Sequence, residues 1–332
     1  METLKIYKLH FTSPLHISDE KAEDYSTSLK SIDSDTFYAA ITSCLAKLGK
    51  EIPDGGDLGF TMSNLFPFYQ KDENTEVVFF FPKPLKQTLP KLEDVSFAKK
   101  IKKVQWLDLT YFSKLINGEP LFSTETVKSD IENIKSEYLT DKKIKPSFVC
   151  SAVAPRVTVS RTGQEDARPF YMDRIEFKDN SGLYFIVNGD TALLDAAINL
   201  LRLEGIGSDR NVGNGIFEYE TAEIQLEIPK NAKHILSLSN FIPESKEQLN
   251  KMLAGDDVAY DFKRRGGWIS TPPHLTKRKN SVYSFTSGSQ FVCEQNSSIL
   301  VKGKIVDLKP NLNNLSHSIY RNGKAIFIPI KL

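Results

Sequence analysis

A chain of 332 residues with 40% hydrophobic and 26% charged residues can bury a large core and has room for two domains. Ordinary glycine and proline contents exclude a fibrous or disordered chain, and three widely separated cysteines, Cys44, Cys150 and Cys293, exclude a disulfide framework or a metal knuckle. The net charge of +1 hides an asymmetry: residues 261–332 hold 12 Lys plus Arg against the three acids Asp261, Glu294 and Asp307, so this tail is +9 and the remainder −8, a distribution suited to a polyanionic partner or to a solvated basic face.

The opening METLKIYKLHF carries charge early, and no run of about 18 apolar residues occurs, so a cytoplasmic protein with no membrane contact is expected. Thr3 to Phe11 reads as a strand. After a polar stretch from Pro14 to Ser31, SDTFYAAITSCLAKLG reads as a helix, with Ser34 or Asp35 as N-cap and Gly49 as its stop. VVFFF at 77–81, bounded by Pro82 and Pro84, reads as a buried strand, and FAKKIKKVQWLDLTYFSKLING as helical throughout. Asp130 to Lys145 is charged and irregular or helical. SFVCSAVAPRVTVSRTG and ARPFYMDRIEFKD then read as a long hairpin, at about residues 146–180. GLYFIVNGD is a strand. TALLDAAINLLRLEG places Leu193, Leu194, Ala197, Ile198 and Leu201 on one helical face, with Asp190 available as cap and Gly205 as the end. GIFEYETAEIQLEI alternates as a strand.

This α+β order, strand-helix-strand-strand-helix-strand, is the ferredoxin-like arrangement, in which two helices cover one face of an antiparallel sheet and the other face is left for a partner. Beyond Pro229, a helix in FIPESKEQLNKMLAG and strands in NSVYSFTSGSQFVC and SILVKGKIVDL predict a smaller α+β unit. The expected division is 1–228 and 229–332.

Between the second helix and the strand after it lies LEGIGSDRNVGNGIFEYE, with Gly205, Gly207, Gly213 and Gly215 around Ser208, Asp209, Arg210 and Asn211. It is not a phosphate-binding Walker loop, because Asn214 and Gly215 follow Gly213 where Lys and Ser or Thr are required. It is not a dinucleotide fingerprint, because Arg210 stands where a glycine is needed and the loop follows a helix. A helix C-terminus presents carbonyls, so an anion held here needs the loop's own amides and Arg210. An ion pair of Arg210 with Asp209 or Glu204 is the structural alternative. No H-x-x-x-H, C-x-x-C or G-x-S-x-G occurs, and no metal or cofactor is expected.

GIGSDRNVGNGIF in this setting resembles the glycine-rich loop of the RAMP superfamily of CRISPR RNA-binding proteins. SIDSDTFYAAI resembles the start of their first helix, and LFPFYQ followed by FFFPKPL their first-domain signature. RGGWIS with VYSFTSGSQF is similar to the C-terminal part of one subgroup, the subunit of the type III-A (Csm) interference complex that caps the guide-RNA end carrying the 5′ tag. The resemblance runs from Ile32 to Phe291. It departs from the pattern at Ser208, where a further glycine often stands, and at Asn214, in place of a frequent basic residue. It implies two ferredoxin-like (RRM-like) domains with a projecting β-hairpin, recognition of the repeat-derived 5′ tag of crRNA, and no chemistry of its own. The implied neighbours are the large polymerase-like, nuclease-bearing subunit that makes cyclic oligoadenylate and the first copy of the backbone RAMP subunit.

Single-stranded RNA is held by cations, backbone amides and stacked aromatics. Arg210 is the first candidate, with Gly205, Gly207, Ser208, Asp209, Asn211, Gly213 and Gly215. On the hairpin, Arg156, Arg161 and Arg168 flank Val157 and Val159, either as a ribbon facing a polyanion or as a solvated hairpin. The hairpin resembles the family's thumb, which implies a wedge that displaces a guide base. Near the first helix stand His16, Lys30 and Ser34, although Ser34 and Asp35 are more simply helix caps. In the basic tail, Arg264, Arg265, Lys277, Arg278 and Lys279 complete the set, and Trp268 beside them is expected in the core. The rival reading is a repeat-processing endoribonuclease. Superfamily relatives cleave RNA with a histidine or aspartate near the first strand and helix, which makes His10, His16, Asp24, Asp33 and Asp35 candidates and His16 the proton acceptor. A nucleotide-binding enzyme stands third.

Overall fold

The computed structural model describes residues 1–18, 25–86, 95–123, 125–159 and 166–332; Arg161 and Asp24 lie outside them. The strand Glu2–Phe11 pairs antiparallel with Gly182–Gly189 on one side and Phe217–Leu226 on the other. Gly182–Gly189 pairs in turn with Phe60–Met62 and Phe66–Tyr69. Counted along the chain, the sheet therefore runs fourth, first, third, second. The helices Ser34–Lys47 and Ala192–Glu204 pack together on it. They bury Phe37, Ile41, Leu45, Leu194, Ile198 and Leu201 against Tyr7, Leu9, Phe185 and Phe217, the helical stripe that their spacing predicts.

The sheet continues outward through Val78–Pro82, Trp106–Asp108, Tyr138–Leu139 and Ile134–Lys135. Two expectations change here. The segment read as one helix is a helix Val95–Lys103, the strand Trp106–Asp108 and a second helix Leu109–Ile116. Asp108 breaks it, because its carboxylate accepts from the Tyr111 amide at 2.9 Å and starts the second helix as an N-cap. The charged stretch from Asp130, expected to be irregular or helical, ends a short helix Val127–Glu132 and then supplies two short strands, turning at Ser136 in the left-handed region. The expected hairpin is a continuous ribbon in which Val149–Thr158 pairs residue by residue with Arg168–Phe177.

The second unit has a four-stranded antiparallel sheet in the order Gln290–Asn296, Ala232–Ser237, Ala325–Ile330, Leu300–Lys302. That order is second, first, fourth, third along the chain, with one helix, Lys246–Met252, among the described residues, so it does not repeat the first unit's strand order. The expectation of a free sheet face is also corrected. Leu4, Ile6, Ile186, Ile224 and Leu226, on the face away from the two helices, share one core with Leu236, Leu238, Ile326, Ile328 and Ile330 of the second unit. The first strand is apolar at both parities, Leu4 and Ile6 as well as Tyr7 and Leu9, and such a strand is buried on both sides.

Candidate nucleic-acid interface

The second helix ends at Gly205 in a positive-φ conformation, and the loop after it folds back on the segment before the first helix. Ser208 N donates to the His16 carbonyl at 3.0 Å, Gly215 N to the Pro14 carbonyl at 2.8 Å, and Ile206 N to the Gly215 carbonyl at 3.0 Å. A Cβ on Gly207 would stand 2.3 Å from the His16 carbonyl oxygen, and one on Gly215 would stand 1.9 Å from that of Ile206. These glycines admit neighbouring backbone, whereas a Cβ on Gly213 would meet open space. Much of the loop's hydrogen bonding is thus turned inward, and what it offers outward is chiefly the side chains near its tip, on the one-turn helix Arg210–Val212.

That tip forms one wall of an open groove of about 940 Å³. Ile206, Gly207, Ser208 and Arg210 line it from the loop, Thr36, Ala39, Ala40 and Ser43 from one face of the first helix, and Arg264 to Trp268 with Arg278 from the second unit. Five arginines (Arg210, Arg264, Arg265, Arg278, Arg321) and one carboxylate, Asp33, face this space. Arg210 has neither expected ion pair: Glu204 binds Lys47 at 2.6 Å and Asp209 lies 3.7 Å from Arg156. Arg264 donates to the Ser281 hydroxyl, and among the described residues neither Arg210 nor Arg264 meets a carboxylate. The Arg278 guanidinium lies 4.3 Å over the Trp268 ring, and Trp268 is 38% exposed, which corrects its placement in the core. Trp268 and Arg278 face each other across an antiparallel bridge, and the guanidinium covers one face of the ring.

The floor of the groove is ionic. Arg265 forms a two-pronged bond to Asp35 at 2.7 Å and reaches Asp33 at 2.9 Å, while Arg321 meets Asp35 at 3.0 Å. Burial alone would raise the Asp35 pKa, but Arg321 and Arg265 outweigh it and hold the carboxyl at about 2. The neighbouring Asp33 is pushed upward by burial. Lys279 is pushed down to about 7, first by burial and then by the Arg321 charge. These groups tie the start of the first helix to the second unit, and Arg265 has its guanidinium committed there.

Residues 230–330 match the family described as the CRISPR Csm4 C-terminal domain. The protein is 26% identical to a CRISPR system Csm4 protein of Thermococcus onnurineus over 90% of this chain and 91% of the relative. To its Streptococcus thermophilus counterpart it is 24% identical over the same shares. Residues 230–330 thus match a Csm4 domain, and the chain as a whole is similar to Csm4 proteins. Among solved structures, its fold is similar to a chain of the Csm3-Csm4 subcomplex of the type III-A interference complex, with a TM-score of 0.62 and 21% identity, covering 99% of this chain and all of that one. It is also similar to a chain of the Csm1-Csm4 cassette in complex with cA4, with a TM-score of 0.57 and 20% identity, covering 100% of this chain and 99% of that one.

The sequence-based candidates separate by position. His16, Gly207, Ser208, Arg210, Arg264, Arg265 and Arg278 meet at the groove, from three distant parts of the chain. Ser34 does not: it is 1% exposed and its hydroxyl accepts from the Asn240 amide. Nor is it the cap, since the N-cap is Asp33 and Asp35 is engaged by arginines. Lys30 pairs with Glu137 at 3.0 Å, and Arg156 lies on the ribbon against Asp209. Arg168 and Lys277 are exposed but line no part of the groove. His16 is fully buried: Nδ1 donates to the Asp173 carbonyl at 2.7 Å, which leaves Nε2 to accept from the Ser18 hydroxyl at 3.2 Å. Arg321 belongs to no basic run or motif; the small face of the first helix lies partly within SIDSDTFYAAI, and the spacing of Thr36, Ala39, Ala40 and Ser43 on one helical face was the signal for it.

Proposed function

We propose that this chain is a non-catalytic RNA-binding subunit of a type III-A CRISPR interference complex that holds the repeat-derived 5′ tag of crRNA. In this reading it joins the large polymerase-like subunit to the backbone RAMP subunit. The groove carries the proposal: cations that meet no carboxylate among the described residues (Arg210, Arg264), a part-exposed aromatic (Trp268) and a helix face of small residues are what a single strand needs for phosphate contact, stacking and close approach. The sheet order fourth, first, third, second with two helices on one face supports a ferredoxin-like RAMP domain over 1–228, followed by a smaller domain over 229–332, with the ribbon as its projection. Similarity to chains solved with Csm3 and with Csm1 supports the two neighbours, and a cytoplasmic location is part of the same reading.

The test is purification of the complex from its host with sequencing of the bound RNA. Short RNAs sharing one repeat-derived 5′ tag, together with a large polymerase-like protein, are expected. A free protein that cuts repeat RNA unaided would overturn the proposal. His16 offers little support for such cleavage, because a buried imidazole with both nitrogens engaged cannot reach a 2′-hydroxyl. Arg210→Ala is expected to weaken RNA binding and to lower the slope of log affinity against log salt by about 0.7, the loss of one phosphate contact.

A further inference from the structure

The paired strands that carry Arg264 into the groove have an outward face whose two rings, Phe262 and Tyr283, are not among the residues lining the groove. Phe262–Arg265 pairs with Val282–Phe285 in the register Arg264 opposite Tyr283 and Arg265 opposite Val282. Strand alternation separates two sets of side chains. Arg265 and Ser284 turn inward, to the ionic floor and the interior. Phe262, Arg264 and Tyr283 turn outward. Phe262 is 54% and Tyr283 62% exposed, and their rings meet edge to face at 5.7 Å. Each ring braces the other while ring surface stays open, and Arg264 between them is the residue that lines the groove.

We propose that Phe262 and Tyr283 form a stacking platform for bases of single-stranded RNA leaving the groove, with Arg264 holding the phosphate between the two sites. The proposal rests on the groove being an RNA site. Three observations favour RNA as the occupant. The platform is continuous with the groove wall through Arg264. The segment 262–279 holds six basic residues and no carboxylate, and although Arg265 is committed to Asp33 and Asp35, the balance of the segment suits a polyanion. The aromatics sit on paired strands beside a cation of the groove wall, the combination of ring surface and positive charge that sequence-tolerant single-strand binding uses.

The experiment compares, on the full chain, a short RNA bearing the 5′ tag with the same RNA lengthened at either end by about four nucleotides, a typical increment for such surfaces. One lengthened RNA is expected to bind about tenfold more tightly than the short one, with the gain lost in Phe262→Ala and Tyr283→Ala while the short RNA binds as before. Tyr283→Leu, which keeps apolar bulk without a π-face, is expected to lose the gain as alanine does. Ultraviolet cross-linking should join the added nucleotides to Tyr283. A lengthened RNA that gains nothing, a gain that survives both alanine variants, or full retention by leucine overturns the platform and leaves the groove standing. An unmodified protein that binds neither RNA removes both.

Discussion

What a glycine does in the loop depends on what its missing side chain would touch. At Gly215, with φ +73°, a Cβ would lie 1.9 Å from a carbonyl oxygen of the chain passing beneath it; at Gly213, with φ +86°, it would meet nothing. Gly215→Ala therefore combines a left-handed backbone with a clash that only chain movement relieves, and should cost at least about 3 kcal/mol in urea unfolding. Gly213→Ala carries the conformational term alone, about 1 kcal/mol. Equal losses would show that close approach is not what these glycines serve. The loop's presence and its place after a helix were legible in GIGSDRNVGNGIF, but this division of labour was not, since a glycine that only turns the chain and one that admits another backbone are the same letter. Arg210 was legible for the complementary reason: its nearest acids, Glu204 and Asp209, were visible, and the structure gives each to another cation.

The junction between the first helix and the second unit is where local reading failed most. Ser and Asp ahead of an apolar helix are the usual signature of a cap, so SIDSD was read as one. The residues that claim Asp35, Arg265 and Arg321, stand 230 and 286 positions away, beyond any spacing argument. Asp35→Asn would leave two buried guanidinium groups short of counter-charge, and a loss of about 3–5 kcal/mol is expected at neutral pH. The pH dependence follows from direction. The Asp35 carboxyl is held at about 2 in the folded chain against an ordinary 3.8, so its contribution is fully present above about pH 4 and fades as the pH falls through 2. The acid limb of a stability profile should be shallower in Asp35→Asn. Lys279 works in the opposite range. With its folded value near 7 against 10.5, the unfolded chain binds the extra proton between those limits, so stability rises with pH from about 7 to 10.5. Lys279→Met should flatten that rise; an unchanged slope would place its origin elsewhere.

At the scale of the whole molecule, the boundary near residue 229 divides the sequence more cleanly than it divides the packing. The order of the four central strands and the two helices that cover them was legible from periodicity, because those helices carry ordinary amphipathic stripes, whereas the outer elements between residues 95 and 139 were not. The covered sheet face was not read, although Leu4 and Ile6 signalled it, because a strand buried on both sides looks like a strand with imperfect alternation. The last strand, AIFIPI, gives the physical counterpart. Ile326, Ile328 and Ile330 enter the core shared with the first unit, while Phe327 and Ala325 join a small cluster with Ile235, Phe241 and Phe291. A fragment of 229–332 would expose the first set and keep as its own core cluster only the six residues around Phe241, too few for an independent fold. The two units should therefore unfold together.

The chain's two tryptophans allow a direct check, since Trp106 lies in the large sheet and Trp268 at the groove wall of the second unit. In Trp268→Phe and Trp106→Phe variants the remaining indole reports one unit each, and coincident urea midpoints are expected. Ile328→Ala, introduced into both, should cost about 2–4 kcal/mol by leaving a cavity in the shared core and shift the two midpoints equally. Midpoints that separate, or a shift seen by Trp268 alone, would mean that the second unit folds on its own. In that case the groove, whose walls come from both units, would be a hinge between two bodies. If the midpoints coincide, the loop, the first helix and the basic hairpin are held in fixed register before any ligand arrives. The groove then meets its partner preorganised, and affinity is not reduced by an ordering step.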